Sequence, residues 1–101
     1  MTTIRSLATL DGEPHANAFP ASEPTTIRLT LAAGEEVPPH DHPDREIVLY
    51  LIEGALELTI GGETHALSAG DLARFDGDQP ISPRAVEDST ALLVLAQRAE
   101  D

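Results

Sequence analysis

Cysteine, lysine and tryptophan are all absent from this chain of 101 residues. Without cysteine there is no disulfide framework and no thiolate to serve as metal ligand or nucleophile. Without lysine, six arginines carry all the basic charge against eighteen acidic residues, leaving a net charge of −12. So negative a body repels nucleic acid and anionic membranes, and neither is expected as a partner. Aromatics are scarce too: Phe19, Tyr50 and Phe75 do not make a basic, aromatic-interleaved surface for single strands. No segment approaches the ~20 apolar residues of a spanning helix. The opening Met1 to Ser6 lacks a charged-then-apolar export pattern, so a cytoplasmic chain is expected. Ser6, Ser22, Ser68, Ser82 and Ser89 occupy no strand-to-helix elbow, and Gly61-Gly62 suits a hairpin turn, not a phosphate cradle.

What remains is a single small unit, able to bury about two-thirds of its unfolded surface. Its prevailing pattern is the short strand. Thr25 to Ala33 alternates, with Ile27, Leu29 and Leu31 on one face and Arg28 and Thr30 on the other. Ile47 to Ile52 is apolar throughout, as in a strand buried on both faces. Ala55 to Ile60 alternates again, and Gly61-Gly62 turns it into Glu63 to Leu67. Asp71 to Phe75, Ile81 to Val86 and Ser89 to Ala96 complete the set. Residues 1–24 are proline-rich and out of phase; they read as an irregular edge strand and covering loop ahead of a barrel domain over 25–101. Short strands at this spacing predict an all-β barrel or sandwich of jelly-roll type. The second apolar face of Ile47 to Ile52 is most simply buried by a two-fold copy, which predicts a homodimer; in a monomer the N-terminal segment would cover it instead.

The chemistry concentrates in Gly34-Glu-Glu-Val-Pro-Pro-His40-Asp-His42. On an extended segment, side chains two apart leave the same face, so both imidazoles can converge on one point. Neutral imidazole is the commonest ligand for transition metals. Of the other ionisable residues, His65 reads as an edge histidine of its hairpin, His15 has no assigned role, and Arg74 reads as an outward arginine paired with surface acid.

The stretch from Gly34 to Gly54 resembles the first motif of the cupin superfamily, and Gly34, His40, His42 and Gly54 fall on its positions. Fifteen residues then lead to Gly70, which opens a segment similar to the second cupin motif. The resemblance implies a small double-stranded β-helix. It also implies four metal-ligand positions, of which two depart. Counted from Gly70, the second motif's histidine falls on Ile81. Counted back from Gly54 without a gap, the first motif's glutamate falls on Ile47; a bulged strand would offer Glu46 in its place. An aliphatic wall beside two histidines suits a divalent ion poorly, so the expectation is no cofactor or a weakly bound divalent metal. Ile47, Leu49, Leu51 and Ile81 are then the expected pocket lining. The resulting expectation is a small-molecule-binding or structural homodimeric module with a degenerate metal site. The alternative is a metal-dependent enzyme of dioxygenase or isomerase type using His40, His42 and Glu46. The acid-rich, lysine-free composition also resembles that of salt-in halophilic archaea, whose molar salt shortens the screening length to about 3 Å.

Overall fold

The computed structural model describes residues 2–98, and its regular structure is almost wholly strand. After a single 3-10 turn at Leu7–Thr9 come β1 (His15–Asn17), β2 (Thr25–Leu31), β3 (Arg45–Ile60), β4 (Glu63–Ser68), β5 (Leu72–Asp76) and β6 (Ile81–Gln97). They form one antiparallel sheet in the order β1-β2-β6-β3-β4, with β5 also paired to β3. No helix among the described residues is long and apolar enough to cross a membrane.

Two pairs of expected short strands are continuous. Ile47 to Ile52 and Ala55 to Ile60 belong to the single strand β3, and the last two expected strands are both β6. These long strands pair along their length, from Arg45↔Gln97 to Ile60↔Ile81, with register shifts between Leu51 and Leu56. There the pair bends instead of ending. Gly54 adopts a φ of +96°, and a Cβ at this position would stand 2.2 Å from Ser89 Oγ and 2.4 Å from the Asp88 carbonyl oxygen. Ser89 serves the polar groups freed by the bulge. Its hydroxyl accepts from the Ala55 N–H at 3.1 Å and donates to the Glu87 carbonyl at 2.7 Å.

The bend folds the sheet into two layers, the double-stranded β-helix that the motifs imply. One layer carries the first half of β3 beside β5, the end of β6, β2 and β1. The other carries the second half of β3 beside β4 and the start of β6. Leu29, Ile47, Leu49 and Leu51 from the first layer share a core with Leu56, Leu58, Ile81 and Ala85 from the second.

Two segments border these layers. Residues 34–40 run antiparallel to the start of β6, but Pro38, Pro39 and Pro83 have no N–H to donate. The ladder is therefore reduced to isolated bridges at Glu36↔Arg84 and His40↔Ile81. In the other layer, on the same side of β6, β1 is the edge strand, strapped down by an arginine. Arg28 lies on the outer side of β2 as the alternation predicts, yet it is buried, because its guanidinium donates to the carbonyls of Leu7 (2.6 Å) and Gly12 (3.0 Å).

Candidate functional site

Between the two layers lies a cavity of about 50 Å³. Its wall is apolar: Ile27 and Leu29 from β2, Ile47 and Leu49 from β3, and Leu93 and Leu95 from β6, with Leu58, Phe75, Ile81 and Pro83 opposite. Each of these strands turns alternate side chains inward, so the wall follows from the period of two. The polar part of the lining is three histidines, His15, His40 and His42, with no Asp, Glu or Arg among them.

Each imidazole is delivered by an edge. His40 faces Ile81 across an isolated bridge, with mutual backbone bonds of 3.2 and 2.8 Å. Its Nδ1 lies 3.0 Å from the Pro38 carbonyl oxygen. A carbonyl can only accept, so Nδ1 carries the proton, and in the neutral ring the lone pair is on Nε2. The His42 N–H donates to the Gly77 carbonyl at 2.8 Å, and the Gly77 N–H donates to the Arg45 carbonyl at 2.8 Å. Gly77 packs so tightly that a Cβ there would stand 2.4 Å from the His42 carbonyl oxygen. His15 comes from β1, where it pairs with Leu29. The His40 and His42 rings meet edge to face at 4.7 Å between centroids, and His15 meets His40 in the same manner at 6.5 Å. Burial is the first cause that lowers the pKa of both His15 and His42, and the neighbouring imidazoles lower it further.

Of the residues expected at the site, His40, His42, Ile47, Leu49 and Ile81 stand around this one cavity. Leu51 is fully buried but lies outside the lining. Glu46 is a correction. The bulge occurs at 51–56, not near residue 46, so the period of two turns Glu46 away from the side that Ile47 faces. Its carboxylate accepts from Arg74 Nη2 at 2.6 Å, which also accounts for Arg74. His65 is exposed on β4, away from the cavity lining. His15 and Gly77 had no assigned part. Neither has a local signal, since each matters only through partners far along the chain.

Residues 27–96 match the family model of the cupin domain. The chain belongs to the cupin family. Quercetin 2,3-dioxygenase of Bacillus subtilis is 33% identical over 67 residues, which are 66% of this chain and 20% of that protein. The cupin thus spans about a fifth of that relative's length. Among solved structures, KdgF from Halomonas sp. aligns with a TM-score of 0.74 at 24% identity, covering 90% of this chain and 86% of that one. An RmlC-like cupin from Shewanella frigidimarina aligns at 0.80 and 16%, covering 100% and 96%. At these identities the likeness establishes the fold.

The metal site that the cupin motifs imply is not matched by the residues present. Ile47 and Ile81 occupy two of its four ligand positions, and neither side chain has a donor atom. Glu46, the possible substitute, is engaged outside the barrel. Among the described residues, no three His, Asp or Glu side chains are grouped so as to hold one ion.

Proposed function

We propose that this cupin is a small-molecule-binding module whose site is the interior of the barrel. The observation that carries the reading is the cavity itself: an apolar wall, including isoleucine at two ligand positions, closed on one side by imidazoles. Apolar enclosure with a few convergent polar groups is the usual make-up of a ligand pocket. The alternative, a dioxygenase or isomerase using His40, His42 and Glu46, loses its carboxylate to Arg74. Size also weighs against the substrate named for the Bacillus subtilis relative. A cavity of about 50 Å³ holds roughly four waters, far less than a multi-ring flavonol requires.

Xenon tests the reading directly, because dry apolar cavities take it up. Under a few atmospheres of xenon, the methyl resonances of Ile47, Leu49 and Ile81 should shift while that of exposed Leu72 stays in place. Unmoved cavity methyls would overturn the proposal.

A further inference from the structure

The lining is asymmetric in a way that defines the ligand's chemistry, and this inference rests on the barrel interior being the binding site. Volume sets the body of the ligand. About 50 Å³ corresponds to roughly four waters, and hence to about four heavy atoms of apolar substance. Charge is excluded next. No Asp, Glu or Arg faces the cavity, so a buried carboxylate or ammonium would lose its hydration with no countercharge to replace it. An anion would also approach against a net charge of −12. A wholly apolar ligand is disfavoured in turn, since it would strip water from the imidazole nitrogens and leave them unpaired.

The hydrogen-bonding sense of the imidazoles narrows the head group further. With the His40 Nδ1–H committed to the Pro38 carbonyl, its neutral ring offers the Nε2 lone pair, which accepts and does not donate. In the neutral ring, His15 and His42 each have one N–H to donate. A head that both donates and accepts satisfies this set. A hydroxyl does so, whereas an ether or ketone oxygen only accepts. We propose that the cavity selects a small uncharged alcohol, its branched apolar body among the aliphatic side chains and its hydroxyl held by His40, His42 and His15. The histidine on β1, outside both cupin motifs, becomes a specificity residue of the site.

The test is a titration followed by methyl and histidine-ring NMR at pH 7.5, with a chelator present throughout, using three probes that share one branched isopropyl end. Isobutanol should bind about tenfold more tightly than isopropyl methyl ether, which has the same five-heavy-atom skeleton, the difference one satisfied hydrogen bond makes. Isobutyrate should bind more weakly than either. In His40→Gln and His15→Ala the preference for alcohol over ether should fall towards one, with xenon shifts in each variant showing that the cavity is intact. Ether or isobutyrate binding as tightly as isobutanol overturns the head-group inference and leaves the cavity reading standing, and so does an unchanged preference in both variants. Isobutanol binding that requires the chelator to be omitted overturns a metal-free head site. Exclusion of all three probes and of xenon overturns the cavity reading as well.

Discussion

The inner strands and the edges of this barrel divide its work. β2, β3 and β6 are paired on both sides, and their inward positions are aliphatic almost throughout. On the side of β6 away from β3, the edges are the short strand β1, held by Arg28 through the carbonyls of Leu7 and Gly12, and the proline-interrupted run 34–42. All three imidazoles of the cavity come from those edges. The difference teaches where polarity can be placed in so small a barrel. An inner strand must satisfy two ladders and a core at once, whereas an edge can turn a polar ring inward and still bond its backbone irregularly.

The largest effect should come from attacking the inner strands where they bend. Gly54→Ala puts a Cβ at φ +96° and within 2.6 Å of three atoms of Asp88 and Ser89, two of them backbone. Relief requires β3 and β6 to separate at the hinge between the two layers. The expected loss is about 3 kcal/mol or more, read as a lower denaturant midpoint with an unchanged slope. A loss under about 1 kcal/mol would mean that the bend is soft and that the layers are not rigidly set by it.

The same division governs what the sequence discloses. Alternation in Ile27, Leu29 and Leu31, and again in Leu56, Leu58 and Ile60, is local and inner, and it can be read directly. Counting from Gly54 and Gly70 brings Ile47 and Ile81 to the cavity, and by parity it already turns Glu46 outward. The continuity of β3 and β6 is hidden, because Gly54 punctuates the sequence like a turn while the chain uses it as a bulge. His15 is hidden more deeply. It follows Pro14 in a segment with no phase, and it reaches the cavity only through its pairing with Leu29, fourteen residues on. Gly77 is equally silent, since its value lies in the backbone of His42 and Arg45.

An intermediate effect should appear on the outer face of the inner strands. Val48, Tyr50 and Ile52 remain 36–39% exposed, and Leu72, beside Tyr50 on β5, is 70% exposed. An apolar stripe on a body of net charge −12 is best covered by a two-fold copy of itself. Light scattering at tens of micromolar should give twice the chain mass, and Tyr50→Glu should give a monomer. Burying an unpaired carboxylate at the centre of such a contact weakens association by about 2 kcal/mol or more. A wild-type monomer would mean that this face is simply solvated and that the dimer expectation fails.

The smallest effect belongs to the edges, and pH reveals it. His15 and His42 titrate below their ordinary value of 6.5 in the folded protein, first through burial and then through the other imidazoles. A depressed histidine pKa means that the unfolded chain binds protons more readily, so the histidine contribution to stability falls as pH drops below about 6.5. The carboxylates of Glu23 and Asp78 are depressed as well, Glu23 by the hydrogen bond from Arg45 and Asp78 by the Asp44 N–H and then Arg98. Their contributions are lost only as pH falls below the ordinary values of 4.5 and 3.8, so the two windows separate. General acidification acts in the opposite sense, because protonating surface carboxylates relieves the self-repulsion of the chain. A comparison isolates the histidine part: thermal midpoints of the wild type and of a His15→Gln, His42→Gln double variant, recorded from pH 8 down to pH 5. The two curves should keep a constant offset above pH 7, and below 6.5 the wild-type midpoint should fall relative to the variant's, because its imidazoles bind protons less readily folded than unfolded. Curves parallel over the whole range would show that the edge imidazoles are solvated like any surface histidine, and the contrast between edges and inner strands would lose its electrostatic half.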